Sequence, residues 1–186
     1  VRDYVEFARR EGGELSPEMR RVEDFAEEVG RPGIDVVRPQ LEQQSIPLDV
    51  DVQEGLAWTC DPALLRIVVV NLLSNAAKYG RAGTRAALTV QTTDAALRVA
   101  VRNEGEGFTQ AQRSKLFKKF SRLDTPFHRQ KKGTGVGLYT CWRIVKLHGG
   151  RMDARSRPGH WAEFAFELPS SEADGMETGP AFNEKN

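Results

Sequence analysis

The chain has 186 residues, enough for one domain with a sizeable core and some extra length at its ends, and 39% of them are hydrophobic and 28% charged. With 27 Lys and Arg against 26 Asp and Glu the net charge is +1, which argues against a global field for gripping nucleic acid or an acidic membrane and leaves room only for a local basic patch. No window approaches 18 consecutive apolar residues, so neither a transmembrane span nor a signal-peptide core is expected within these residues, and no membrane contact is expected of this segment.

Residues 1–14 place Val1, Tyr4, Val5 and Ala8 at helical spacing and read as the last turns of a helix that stops at Gly12-Gly13. Since the first residue is Val1 and not Met, the chain is expected to be a piece of a longer protein. Ser16-Pro17 predicts a new helix, capped by Ser16, with Met19, Val22, Phe25, Ala26 and Val29 as its apolar stripe and an interruption at Gly30 to Gly33. A second helical piece over roughly 34–44 carries Val36, Val37 and Leu41, with a kink at Pro39. From Ile46 to Val52, apolar Ile46, Leu48, Val50 and Val52 alternate with polar partners, the pattern of a half-buried strand.

Asp61-Pro62 opens a strong helix that runs to about Tyr79 and is stopped by Gly80. Leu88 to Thr92 and Leu97 to Val101 read as two strands of a hairpin turned at residues 93–96. Residues 104–135 are rich in Gly, Lys and Arg, with one short helical piece near Gln110 to Phe120. Thr134 to His148 reads as a helix ended by Gly149-Gly150. Met152 to Ala154 and Trp161 to Leu168 predict a closing hairpin in which Ala162, Phe164, Phe166 and Leu168 share one face. Residues 170–186 are polar and are expected to be a disordered tail. Strands cluster rather than alternating strictly with helices, which predicts an α+β two-layer sandwich and not a doubly wound sheet.

Asn71, Asn75, Lys78 and Tyr79 fall on one face of the helix over 61–80, among apolar Val68, Val69, Leu72, Leu73 and Ala76. Such a stripe is either a solvated face or a site for a divalent cation on a polyphosphate, because amide oxygens are hard ligands for Mg²⁺ and a lysine can meet a phosphate. Asn103-Glu104-Gly105-Glu106-Gly107-Phe108 follows a strand, where two glycines let backbone pass close to a flat ligand or simply form a turn. Gly133-Thr134-Gly135-Val136-Gly137-Leu138 opens a helix, and a glycine-rich loop there offers free N–H groups and a favourable dipole to phosphate. The GxGxG spacing after a polar, basic stretch does not fit the dinucleotide fingerprint, and no P-loop, HExxH or protein-kinase signature is present. Lys115, Lys118, Lys119, Arg122, Arg129, Lys131 and Lys132 concentrate positive charge without an aromatic stacking platform, which favours phosphate or solvent over nucleic acid as their partner. Cys60 and Cys141 are far apart and unpaired in pattern, so they are expected to be core residues of a protein in a reducing cytosol.

Taken together and in order, these segments resemble the motifs of bacterial sensor histidine kinases. NLLSNAAKYG (71–80) looks like their N box, NEGEGF (103–108) their first glycine box, KLFKKFSRLD (115–124) their phenylalanine box, and GTGVGL (133–138) their second glycine box. YTCWRIVKLHGGRM (139–152) and the closing WAEFAFELP (161–169) also fit, so that the resemblance covers about 46–169. It implies the ATP-binding catalytic domain of the GHKL superfamily, with a Bergerat fold whose mixed, mostly antiparallel sheet is covered on one face by helices. The implied organisation is the end of a dimerisation and phosphotransfer helix over 1–15, a catalytic domain over 16–169 and a tail over 170–186.

By that likeness Asn75 ligands Mg²⁺ with Asn71 beside it, and Lys78 and Tyr79 reach the phosphates and the nucleotide edge. The loop from Phe108 to Lys132 becomes the ATP lid, with Arg122 and Lys131-Lys132 near the γ-phosphate. Gly105, Gly107, Phe108, Thr134, Val136, Leu138 and Glu163 count among the nucleotide-binding residues, while Gly133, Gly135 and Gly137 let lid and helix N-terminus approach the phosphates. An asparagine at 71 cannot activate water as the glutamate of the superfamily's ATPases does, which points to transfer onto a histidine rather than hydrolysis. The family's aspartate is here Asn103, which keeps an acceptor oxygen for adenine, and its frequent threonine is here Glu163; the two departures suggest an Asn103 amide donating to Glu163. A degenerate scaffold module, another GHKL ATPase and an anti-sigma-type serine kinase are the rival readings.

None of His128, His148 and His160 sits on a dimerisation helix; they read as a loop residue, a cation at a helix C-terminus and a turn residue. The phosphoacceptor is then expected upstream, on a histidine-containing dimerisation domain of the same protein. A homodimer, a response regulator receiver domain as partner, and a cytoplasmic location complete the implied picture.

Overall fold

Residues 16–93, 95–121, 123 and 134–170 are described by the computed structural model, so the helical tail expected over 1–14 and the tail expected over 171–186 lie outside the described residues. In chain order the elements are β1 (Arg20–Val22), a π-helical turn (Ala26–Gly30) running directly into α1 (Arg31–Gln43), β2 (Leu48–Val52) and β3 (Trp58–Cys60). They continue with α2 (Pro62–Tyr79), β4 (Ala86–Thr92), β5 (Ala96–Glu104), the one-turn α3 (Gln110–Arg113), α4 (Gly137–Leu147), β6 (Arg151–Arg157) and β7 (Trp161–Pro169). Five strands form one sheet in the order β2-β4-β5-β7-β6, in which β2 runs parallel to β4 and every other neighbour is antiparallel. β1 and β3 make a separate two-stranded antiparallel ribbon. The expected mixed, mostly antiparallel α+β sandwich is the fold observed.

α2 is the axis of the helical layer. Asp61 caps it by accepting the Leu64 N–H at 3.0 Å, and Pro62 occupies the first turn, where a missing N–H costs nothing. Leu64, Leu65, Val68, Leu72 and Leu73 are almost wholly buried and pack with Val37 and Leu41 of α1, Ile144 and Val145 of α4, and Leu88, Val99 and Phe166 of the sheet. The open face of the sheet carries exposed and half-exposed ion pairs, Arg85–Asp49 at 2.7 Å, Arg98–Glu163 at 2.8 Å and Arg151–Glu167 at 2.6 Å. Pairs that stay wet contribute about 0–1 kcal/mol each, so the buried face supplies the cohesion.

The N-terminal part departs from the pattern read in the sequence. No helix starts at Ser16: residues 20–22 pair with β3, and Met19 is exposed. Asp24 starts the helix instead, since its Oδ1 accepts the N–H groups of Ala26 at 2.8 Å and Glu27 at 3.3 Å. Desolvation acts to raise the Asp24 carboxyl, but N–H donors from Gly55, Glu27 and Ala26 and the charge of Arg31 outweigh it and hold the group below its ordinary value. Gly30 to Gly33 does not interrupt the helix either, because a Cβ on Gly33 would meet Val69 Cγ1 at 2.8 Å and its absence lets α1 lie against α2. The helix expected near Gln110 to Phe120 is shorter, only Gln110–Arg113, closed by a capping box between Thr109 and Gln112.

His148 is not the cation at a helix C-terminus expected of it. It is buried, its Nε2 accepts the Asp61 N–H at 3.0 Å, and its Nδ1 lies 2.8 Å from the Ile144 carbonyl. A backbone N–H can only donate, so Nε2 accepts and the ring proton sits on Nδ1, tying the end of α4 to the cap of α2.

Cys60 and Cys141 are both free and fully buried. Burial pushes each thiol up to about 12, helped at Cys60 by the neighbouring Asp61 carboxylate. Neither thiol is therefore expected to react with iodoacetamide in the folded protein at neutral pH, whereas both are expected to react once it is unfolded. Mass spectrometry after brief labelling checks this, and rapid native alkylation of either cysteine would contradict the packing.

Candidate functional site

A cavity of about 330 Å³ opens between α2, the ends of β5 and β7, and the start of α4. Its polar wall is the stripe on α2: Asn71, Asn75, Lys78 and Tyr79 all line it, as does Ser74, whose hydroxyl donates to Gln40 at 2.7 Å. Helical periodicity makes this stripe, and the apolar positions on either side bury the rest of the helix and hold the stripe in place. Asn71 Nδ2 donates to the Ile67 carbonyl at 2.8 Å, which anchors the amide. Its Oδ1 then lies against the start of α4, where a Cβ on Gly137 would come within 2.9 Å of it. Glycine at 137 is what allows α4 to begin this close to Asn71. Lys78 Nζ sits 4.8 Å from the centre of the Tyr79 ring.

The opposite wall is apolar. Phe108 and Phe164 meet at 5.7 Å between ring centres, and Leu116, Leu123, Leu138 and Ala162 surround them. Ser156 fixes Phe108 from behind, accepting its N–H and donating to the Trp161 carbonyl, both at 2.8 Å. Gly107, at φ +66°, makes the turn that brings this backbone against Ser156. Asn103, only 5% exposed, closes the floor. Its Nδ2 donates to the Glu104 carbonyl at 3.2 Å, which leaves Oδ1 as the acceptor end.

Of the residues singled out in the sequence, Asn71, Asn75, Lys78, Tyr79, Asn103, Gly107, Phe108, Thr134, Gly135, Gly137 and Leu138 come together here. Gly105 lies behind the wall, bridged to Gly80, and Val136 is buried with its carbonyl accepting from Thr140. Arg122, Lys131, Lys132, Gly133, His128 and Arg129 lie outside the described residues. The expected bond from Asn103 to Glu163 does not form. Asn103 is paired with Ala162 across the sheet, and Glu163, one residue on, points to the open face and binds Arg98. Sequence reasoning missed Ser74, Glu106, Ser121, Leu116, Leu123, Ala162 and Phe164 as lining residues. The shared face of Ala162 and Phe164 was the available signal for the last two.

The donor set suits a polyphosphate nucleotide with a hard divalent cation. Amide oxygens and a lysine stand on one wall, tilted aromatic rings and aliphatic side chains on the other, and an amide acceptor on the floor.

A family model described as histidine kinase-, DNA gyrase B- and HSP90-like ATPase matches residues 60–172. The sensor protein GacS of Pseudomonas syringae pv. syringae is 38% identical over 129 residues, covering 66% of this chain and 14% of GacS. The adaptive-response sensory kinase SasA of Synechococcus sp. (strain JA-3-3Ab) is 32% identical over 171 residues, covering 91% of this chain and 44% of SasA. The chain thus spans less than half the length of either relative. Full-length ShkA in complex with AMPPNP superposes with a TM-score of 0.75 at 26% identity, covering 90% of this chain and 34% of that one. The catalytic domain of the histidine kinase ThkA superposes with a TM-score of 0.71 at 24% identity, covering 82% of this chain and 98% of that domain, a likeness of fold.

Proposed function

The chain belongs to the family of histidine kinase-, DNA gyrase B- and HSP90-like ATPases, and from that premise we propose that it is the catalytic domain of a sensor histidine kinase, binding Mg·ATP and passing the γ-phosphoryl group to a histidine on an adjacent dimerisation domain. The observation that carries this reading is the amide and lysine stripe of α2 facing an aromatic slab across one cavity. Asn75 and Asn71 would hold Mg²⁺ through their amide oxygens, Lys78 would meet the phosphates, and Asn103 Oδ1 would accept from the amino group of adenine. Tyr79, Gly107, Phe108, Thr134, Gly135, Gly137 and Leu138 enclose the nucleotide, and Arg122, Lys132 and Gly133, which lie outside the described residues, are its further expected partners. Mg²⁺, when bound with ATP, neutralises charge on the phosphates. The protein itself positions the donor and excludes water.

Asn71 separates this reading from that of an ATPase. Its amide is held by Ile67 and has no basic atom with which to take a proton from water. The catalytic unit is residues 16–169, the acceptor histidine lies upstream, and the assembled protein is a cytoplasmic homodimer that hands its phosphoryl group to a response regulator receiver domain. With Glu163 turned to the open face, a degenerate scaffold has only Asn103 in its favour.

Incubation with radiolabelled ATP tests the proposal. The chain alone is expected to bind ATP, to acquire no stable label and to release phosphate very slowly, because the absence of a positioned base costs about 10²–10⁴ in rate. A dimerisation domain carrying its histidine is expected to become labelled when added, with the acid lability of a phosphohistidine. An acid-stable phosphoserine, or fast hydrolysis unaffected by Asn71→Ala, would overturn the assignment.

A further inference from the structure

β5 and β7 each feed two cavities. Asn103 and Ala162 face the nucleotide pocket, while their neighbours Arg102 and Trp161 face a second cavity, of about 400 Å³, on the open side of the sheet. Arg81 and Arg85 reach the same cavity from the chain after α2, and His160 reaches it from the turn before β7.

The charges there are unequally matched. Arg85 is neutralised by Asp49 at 2.7 Å. Arg81 and Arg102 have no carboxylate partner among the described residues, and Glu104 is the cavity's remaining acid. Both guanidiniums are nevertheless held. The Arg102 guanidinium carbon sits over the Trp161 indole, 4.2 Å from the ring centre. Arg81 donates to the Gly159 carbonyl at 3.0 Å, and its backbone N–H donates to Glu104 O at 2.9 Å. Two ordered guanidinium forks facing one cavity have most of their ordering cost already met, and a fork of N–H donors matches the oxygens of an oxyanion.

We infer that this cavity is a second anion site, which takes the phosphoryl group of a small phosphate-bearing molecule and is separate from the nucleotide pocket. A phosphoryl dianion carries three terminal oxygens, enough in number for both forks and for His160, all of which line this cavity, whereas a single carboxylate has oxygens for one fork. The volume leaves room for a small organic group beside the phosphate. Because the site shares no side chain with the nucleotide pocket, it stands or falls independently of the kinase assignment.

Titration of the ¹⁵N-labelled chain with inorganic phosphate, at constant ionic strength and pH, tests this by NMR. The reporters are the Trp161 indole N–H, identified with Trp161→Phe, and the Nε–H groups of Arg81 and Arg102. Saturable shifts at these groups are expected, with Arg81→Gln and Arg102→Gln each weakening the affinity about tenfold, the cost of one charge-assisted contact. Arg151→Gln, at the far edge of the same face, is expected to leave it unchanged, and amide spectra verify that each variant is folded. Shifts that never saturate, or that acetate reproduces, would mean an adventitious ion only and overturn the inference. So would shifts confined to Asn103 and Phe108, which would return the anion to the nucleotide pocket. Response to a polyglutamate peptide but not to phosphate would overturn it in favour of an acidic polypeptide.

Discussion

Asn75→Ala is expected to lower the affinity for Mg·ATP by about 100-fold or more while leaving the fold intact. Asn75 stands half-buried on the cavity side of α2, one turn from Asn71 and one from Lys78. Removing even an outer partner of a metal ligand typically costs 10–100-fold, and a ligand itself lies at the top of that range or above it. Alanine is the best helix former, and no core contact is lost, so unfolding free energy should change by less than about 1 kcal/mol. Metal-free ATP should lose much less affinity, because Lys78 and Asn103 remain. Calorimetry with and without Mg²⁺ separates the two contributions, and an unchanged Mg·ATP affinity would remove Asn75 from the metal site.

Gly107→Ala is expected to cost about 2–4 kcal/mol of stability and to weaken nucleotide binding with it. At φ +66° a side chain is strained by roughly 1–2 kcal/mol before any contact is considered. Here a Cβ would also lie 2.4 Å from Ser156 Oγ and 2.9 Å from the Trp161 carbonyl. Ser156 cannot yield without giving up the bonds to Phe108 and Trp161, each worth about 0.5–1.5 kcal/mol. Phe108 would then leave its place beside Phe164, and the apolar wall of the cavity would open. Gly159→Ala is the control: φ is +78° but nothing lies within 4 Å of the added carbon, so only the backbone strain should be felt. Denaturant unfolding of the two variants distinguishes strain from crowding, and equal losses would refute the role given to Ser156.

What could be read in the sequence follows from how local the cause was. The stripe Asn71, Asn75, Lys78 and Tyr79 is a matter of helical period, and the cap Asp61-Pro62 is set by adjacent residues, so both are legible and both stand in the structure. The continuity of the helix through Gly30 to Gly33 depends on Val69, far along the chain, and local propensity pointed the other way. β3 is three residues long and owes its existence to β1, which no period in three residues could announce. His148 looked like a helix-end cation because its partner, the Asp61 N–H, is brought to it only by the packing of α4 on α2. Glu163 is a different failure. Alternation in β7 already set Ala162 and Phe164 on the core face, and the same parity sends Glu163 to the other side.

The order of strands in the sheet also bears on how the chain reaches its fold. Among the described paired strands, only β4–β5 and β6–β7 are adjacent along the chain, the first ending at 92 and resuming at 96 and the second ending at 157 and resuming at 161. Every other pairing joins distant residues: Arg20 with Cys60, Leu48 with Ala86, Ala96 with Pro169. Loops of that span must close before their contacts return any free energy, which slows folding. The two hairpins can form in microseconds, but the parallel partner β2 and the central joint between β5 and β7 must wait for a search on the scale of milliseconds to seconds. During that interval the apolar side of β7, with Phe164 and Phe166, has neither β5 nor α2 against it. Aggregation during refolding is therefore expected to track changes in β7 more than changes in the surface loops, because the late step, and not the final stability, decides how long that strand stays bare.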